Sequence, residues 1–338
     1  MSNMTNDAAQ TPIERPLLPP DASAGSSTVS DRRSRSFWED AARTFVHNIA
    51  GMAGLVVIVL LLVIAIFAPK IAPYNYLTQN YTQLLQGPSS QHLMGTDELG
   101  RDLFSRVIIS LRTGVTVATL ITLFTGVIGF IVGAAGALAG SIFDAAVVWV
   151  TDALLSIPAL WFAAFISVAT RPTIEKWVAS LATATHWGIF TTADAADYAV
   201  VVFCLGLVSW PGLARIVRGQ VLALRQRDFI QAERALGATN WWIVRKHLLP
   251  NVLGQVIVTL SVTFGFSLLL EASLSFLGIG IRPPGASLGQ MIADGVTRYR
   301  SAPYLVAMPG LVLALIVLAF NFVGDALNDA LNPQARQR

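Results

Sequence analysis

Six separate stretches of this chain are apolar over the length a helix needs to cross a bilayer, and that repetition limits the fold more than any other feature. They are Ile49 to Ala68, Thr113 to Ala139, Phe143 to Thr170, Tyr198 to Val217, Val252 to Gly280 and Tyr304 to Leu327. A spanning helix takes about 20 residues, and non-helical backbone facing lipid leaves peptide groups unpaired at a cost of several kcal/mol each. The expected fold is therefore an all-α membrane protein with six transmembrane helices. Charge content agrees, since 13% of the 338 residues are charged whereas soluble domains carry about 25%. A soluble enzyme is excluded as a class. Pro158, Pro211 and Pro309 fall inside three of the runs, which membrane helices tolerate when neighbours satisfy the freed carbonyls.

Residues 1–36 hold almost no large apolar side chains and cannot bury enough surface to offset chain entropy, so they read as a disordered tail. The first apolar run starts too far along for a secretory signal and reads as an anchoring helix. With the N-terminus inside, 14 of the 23 Lys and Arg residues fall on inner segments, seven of them between the fourth and fifth runs. Both termini are thus expected in the cytoplasm, with the chain a multi-pass protein of the cell membrane. A net charge of +3 is too small a surplus to suggest nucleic acid. The single cysteine, Cys204, excludes an intrachain disulfide. His47, His92, His186 and His247 lie far apart, without Cys or carboxylate at ligand spacing, so neither a metal site nor a cofactor is expected.

Within the second run, Gly129 with Gly133 and Gly136 with Gly140 make two GxxxG steps, a groove that lets another helix approach closely. A phosphate-binding glycine loop would need a preceding strand and polar surroundings. Four carboxylates lie in or at the ends of the apolar runs: Asp144 and Asp152, eight residues apart on one helical face, then Glu271, and Asp325 one turn after Asn321. Ionisable groups in lipid are costly, so Asp152, Glu271 and Asn321 are candidates for lining a pathway. The competing role is bonding between helices, and the sequence leaves both open.

No Walker A or HExxH pattern occurs, so energy for transport has to come from another chain. The most informative connection is 215–251. Asp228 to Leu236 suits a short helix, Gly237 suits the left-handed residue that ends one, Thr239 or Asn240 suits the cap of a second helix carrying Trp241 and Trp242, and Pro250 restarts the chain at the membrane. This elbow reads either as a basic amphipathic pair lying on anionic lipid or as a docking peg. As a peg, its small Ala232 and Ala235 would enter a partner's groove while Gln231, Glu233 and Arg234 make polar contacts.

Gln231-Ala232-Glu233, Gly237 and Leu249-Pro250 together resemble the EAA loop of permeases from binding-protein-dependent ABC importers, with Gln231 where the family usually has Glu and Glu233 where it has Ala. Ala50 to Pro73 is similar to the N-terminal span of the oligopeptide and dipeptide permease C-type subunits. His92 to Arg106 (HLMGTDELGRDLFSR) resembles their GTDxxGRDxxSR signature, and ASLSFLGIG at Ala272 to Gly280 and NFVGDALNDALNP at Asn321 to Pro333 are also similar. The resemblance covers residues 37–334. It implies the type I importer (MetI-like) permease fold, with a tail at 1–36, an N-terminal transmembrane helix and extracytoplasmic elbow at 37–112, and a permease core of five helices at 113–334. It implies a second homologous permease subunit, two cytoplasmic ATP-binding subunits and an extracytoplasmic solute-binding protein as partners in the bilayer. The chain itself would be a transport subunit, with no ATPase site of its own. Asp228, Gln231, Ala232, Glu233, Ala235, Gly237, Leu249 and Pro250 would form the ATPase-coupling loop. Peptides are the implied substrate, while relatives of the same architecture carry nickel, glutathione or other small solutes. A secondary transporter would show an internal repeat, which is not evident here, and a channel would need no peg.

Two further expectations concern the outer side. Residues Arg171 to Tyr198 form a longer connection than the family usually has, with Ile174, Trp177 and Leu181 at helical spacing; it reads as a surface helix that either extends the docking surface for the binding protein or is lineage-specific padding. In the elbow, Asp97 is expected to cap a helix from Leu99 onward, and Asp102 to pair with Arg106.

Overall fold

The computed structural model describes residues 37–187 and 194–331, so the expected tail lies outside the described residues. Helix α1 (Phe37–His47) ends at Asn48, whose Oδ1 accepts from Gly51 N at 2.9 Å and caps α2 (Ile49–Ile66). A single turn, α3 (Ala68–Ile71), leads into an elbow that closes at Asp102. The Asp102 side chain accepts from Ser105 N at 2.7 Å, so α4 (Leu103–Leu138) begins inside the elbow rather than at Thr113. Then follow α5 (Ser141–Ser156), α6 (Ala159–Thr185) and α7 (Ala195–Arg225). The short α8 (Asp228–Ala235) and α9 (Asn240–Ile243) come next; α9 continues through a π-helical turn at Val244–Leu248 into α10 (Leu249–Phe276). Helices α11 (Leu288–Val296) and α12 (Tyr304–Leu331) complete the described chain, which contains no strand among the described residues.

Five helices, α2, α4, α7, the α9–α10 unit and α12, are each long and apolar enough to span a bilayer. The sixth candidate span is a bent pair of helices, which brings the count to six if the pair crosses as one. The run from Phe143 to Thr170 is not one helix: α5 and α6 meet at 94°. Ile157, which precedes Pro158, takes extended angles (φ −92°, ψ 133°), because the proline ring crowds the α region for the residue before it. Pro158 is a break, whereas Pro211 and Pro309 do lie within α7 and α12. Helix α6 also passes through Pro172 and continues to Thr185, so the expected separate surface helix is the far half of α6.

The most extensive helix packing joins α4 to α7. A Cβ on Gly129 would lie 2.9 Å from Leu213 Cβ, and one on Gly133 would lie 2.4 Å from the Ala214 carbonyl oxygen, so backbone meets backbone there. A Cβ on Gly136 would lie 3.3 Å from Val147 Cγ1 of α5. Gly140 belongs to no packing step. It is the residue between α4 and α5, at φ +108°, with open space where a side chain would be, and its role is the turn. The same small-residue device seats α2 on α12, where a Cβ on Gly54 would lie 2.7 Å from the Ala319 carbonyl.

Gly133→Val should force α4 from α7 and lower stability by about 1–3 kcal/mol, as overpacking does elsewhere. Gly212→Ala, which meets open space, should stay within about 0.5 kcal/mol. Unfolding of both variants in mixed micelles checks the contrast, and equal losses would refute the close approach.

Candidate functional site at the α8 elbow

Helix α8 is anchored by one side chain. Ile230 is fully buried, in a cluster with Ala137 of α4, Val221 of α7, Ile243 of α9, and Leu248 and Val252 at the start of α10. The helix ends as its sequence requires. Gly237 N donates to Arg234 O and Ala238 N to Glu233 O, each at 3.0 Å, while Gly237 sits at φ +88°, in the left-handed region that favours glycine. Thr239 Oγ1 then accepts from Trp242 N at 3.3 Å and opens α9. Leu249 and Pro250 open α10 directly out of the π-helical turn: Leu249 N donates to Val244 O five residues back, and Pro250, without an N–H, makes no such bond. The connection 215–251 is thus almost entirely helical.

Burial divides the expected docking residues. Asp228, Gln231, Ala232 and Ala235 face outward, together with Phe229, Leu236 and Trp241. Glu233 and Arg234 turn inward and are half-buried, so of the three polar contacts expected on the docking face only Gln231 is there. Glu233 Oε1 lies 3.4 Å from His247 Nε2, and the His247 ring meets the edges of Phe229 and Trp242 at centroid distances of 5.6 and 5.4 Å. Lys246 Nζ lies 4.2 Å above the Trp242 ring. These contacts tie the two arms of the elbow to each other.

Behind the elbow, α5 is laced to the last turns of α7. Arg218 grips both oxygens of Asp144, at 2.5 and 2.7 Å, and Arg215 pairs with Asp152. Arg225 Nη1 donates to the Ala137 carbonyl at 2.7 Å and so covers an open end of α4. The Asp152–Arg215 pair is half exposed, and such pairs position helices more than they stabilise them.

The pathway candidates are not brought together. Asp152 is held by α7; Glu271 is buried near the far end of α10; Asn321, with Asp325, is on the exposed side of α12. Among the described residues no hydrogen bond or ion pair connects the three. Glu271 accepts from Ser275 Oγ at 2.8 Å, and that hydroxyl in turn accepts from Ile281 N at 3.0 Å, pinning the turn after α10. Ser287 lies beside the same carboxylate. It is the centre of the one Gly-x-Ser-x-Gly sequence in the chain, Gly285 to Gly289. Buried as the N-cap of α11, Ser287 has a structural task and no histidine partner among the described residues.

At the end of the bundle opposite α8, the elbow corrects two expectations. Asp97 caps no helix: it accepts from the backbone N–H groups of Leu99 and Arg101 at 2.9 Å each. Its carboxylate also takes Arg101 Nε at 2.7 Å and Arg106 Nη1 at 2.5 Å. Asp102 is the helix cap and bonds His92 Nδ1 at 2.8 Å, so Arg106 pairs with Asp97 instead. Nearby, burial raises the Asp294 carboxyl above its usual range, an effect that Arg106 partly opposes. Arg171 pairs with Asp197 and donates to the carbonyls of Ile279 and Gly280, while Arg282 joins Asp197 to Glu175. The near half of the 171–198 connection is therefore fastened to the turn after α10; residues 188–193 lie outside the described residues.

Ile230, Arg215 and Arg218 matter here and do not appear among the residues read from sequence, and His247 reads there only as too isolated for a metal site. For the two arginines a signal existed, since a pair of carboxylates on one helix and a pair of arginines on another can form rungs. Ile230 had none, because in an apolar chain one more isoleucine carries no mark.

A family described as "Binding-protein-dependent transport system inner membrane component" matches residues 125–337, and "N-terminal TM domain of oligopeptide transport permease C" matches residues 36–88. The oligopeptide transport system permease protein OppC of Bacillus subtilis is 33% identical over 319 residues, covering 94% of this chain and 97% of its own. The dipeptide transport system permease protein DppC of the same organism is 33% identical over 307 residues, covering 90% and 88%. Among solved structures, an inward-facing MetNI methionine ABC transporter aligns with a TM-score of 0.48 at 21% identity, covering 66% of this chain and 96% of that one.

Truncating the anchor should release the elbow. Ile230→Ala is expected to cost about 2–4 kcal/mol locally and to speed amide exchange across 228–236, leaving α4 and α7 protected. Unchanged exchange in α8 would contradict its seating by Ile230.

Proposed function

The chain belongs to the family of binding-protein-dependent transport system inner membrane components, and on that premise we propose that it is one permease half of an ATP-driven importer of short peptides. In this reading a second, homologous permease supplies the other half of the pathway, two cytoplasmic subunits bind and hydrolyse ATP, and a soluble extracytoplasmic receptor delivers the peptide. The chain has no nucleotide site of its own and transmits work done elsewhere. Both termini and the α8 elbow lie in the cytoplasm, consistent with seven basic residues crowded between 215 and 246. Peptides are the named cargo of the oligopeptide and dipeptide permeases it resembles.

One observation carries the coupling role: α8 presents Gln231, Ala232, Ala235 and Leu236 outward while Ile230 is sunk in a cluster shared by α4, α7 and α10. Ile230, the one buried side chain of α8, is taken by the core, while Phe229 and Leu236 stay on the free side beside Ala232 and Ala235. Small side chains on the free side suit insertion into a groove. Closure of the ATP-binding subunits would push α8. The push would reach α7 directly, α5 through Arg215 and Arg218, and α4 through Arg225. Rigid-body rocking of packed helices about a central path is the general route for alternating access. Asp152 and Glu271 then serve helix positioning, and Asn321, with Asp325, is left as the pathway candidate on α12.

Co-expression with the ATP-binding subunits and partner permease, followed by uptake of labelled peptide into proteoliposomes, tests the proposal. Ala232→Trp should leave the chain folded in the membrane and cut ATP-dependent uptake by more than about tenfold, equivalent to some 1.4 kcal/mol. Undiminished uptake, or flux that needs no ATP, would sink it.

A further inference from the structure

A polar cavity of about 650 Å³ opens at the end of the bundle opposite α8, between the chain after α3 and the facing ends of α4 and α7. Its lining includes Arg112, Thr113 and Thr116 of α4, Tyr76, Asp194 and Tyr198. Several charges at this end are paired: Asp97 with Arg101 and Arg106, Asp197 with Arg171 and Arg282, and Glu98 with Arg298. Arg112 and Asp194 are not. Among the described residues neither side chain has a hydrogen bond or ion pair, and they do not bond each other across the cavity they share. Asp194 stands at the N-terminus of α7 without capping it.

Exposed Arg112 and half-buried Asp194 leave two opposite charges facing one cavity, where a ligand that carries both would pair them. We propose that this cavity is a low-affinity site for the two charged ends of a short free peptide, the Arg112 guanidinium taking the carboxylate and the Asp194 carboxylate taking the ammonium group. The inference rests on the permease reading and gives it a binding site. The volume falls within the range of small-molecule pockets, about 300–1,000 Å³. An extended peptide separates its ends by about 3.3–3.6 Å per residue, which suits charges that face one space without touching. The rings of Tyr76 and Tyr198 offer apolar area between the poles, and the Tyr198 hydroxyl, 3.1 Å from Thr113 Oγ1, and Thr116 offer groups for a peptide bond. Burial first, and then the charge of Asp197, holds the Asp194 carboxyl above its ordinary range, and an ammonium group would oppose both effects. In the orientation proposed above, this cavity opens on the extracytoplasmic side, where the receptor releases its peptide.

The test uses the full chain with its partner permease in lipid nanodiscs and measures saturation-transfer NMR with dialanine, N-acetyl-dialanine and dialanine amide. Wild type should bind dialanine in the millimolar range and each blocked form about tenfold more weakly, the effect of one lost charged hydrogen bond. Asp194→Asn should bring dialanine to the level of its N-acetyl form, and Arg112→Gln to the level of its amide. Asp194→Glu and Arg112→Lys, which keep the charges, should retain the preference and guard against a folding defect. Equal binding of free and blocked forms by wild type overturns the inference. So does equal weakening of all three probes by the substitutions, or absent dialanine binding with impaired receptor docking. ATP-dependent uptake by the wild-type complex is measured in parallel: its absence counts against the permease reading, whereas uptake without charge-dependent binding counts against this site alone.

Discussion

The close approach of α4 to α7 is the contact on which the other elements depend. Lipid supplies no hydrophobic drive between helices, so association relies on packing and on backbones that come near each other. Gly129 and Gly133 permit that, to the point where a Cβ on Gly133 would fall 2.4 Å from a carbonyl of α7. Once the two helices are locked, α5 is laid beside α7, α6 folds back over it, and α10 closes on α4. The α8 elbow is built on the same seam, because Ile230 packs among side chains of both helices.

That dependence explains how a helix of eight residues, too short to be stable alone, can serve as a mechanical contact. Its inward residue is buried, its end is fixed by Gly237, and its second arm is tied back through Glu233, His247 and Trp242. Force applied to Ala232 or Ala235 therefore meets a body that includes α4, α5, α7 and the start of α10. The opposite end is organised differently. There buried ion pairs around Asp97 and Asp197 hold turns in place, and Arg112 and Asp194, without an ion pair among the described residues, stand apart from them.

Much of this was legible in the residues. Apolar run length located five of the spans, the EAA-like spacing located the elbow, and Gly237 was read as the left-handed terminus it is. What escaped depended on which residue meets which across the fold. Hydropathy is blind to the break at Ile157-Pro158, since both halves remain apolar and only the proline's steric demand separates them. Asp97 and Asp102 exchanged expected roles because local spacing admits either as the cap, and the contact of Arg106 with Asp97 decides it. Gly140 matched a packing pattern by spacing, but the helix had already ended.

The central claim is that the outward face of α8 is where the ATP-binding subunits take hold. The only cysteine, Cys204, is buried, so Ala232→Cys in a Cys204→Ala background provides one reactive thiol for site-specific cross-linking in the assembled complex. The account predicts an efficient cross-link from residue 232 to an ATP-binding subunit, with ATP-dependent uptake lost when it forms and recovered on reduction. A thiol at position 232 that reaches only lipid, or a cross-link that leaves uptake intact, would contradict it.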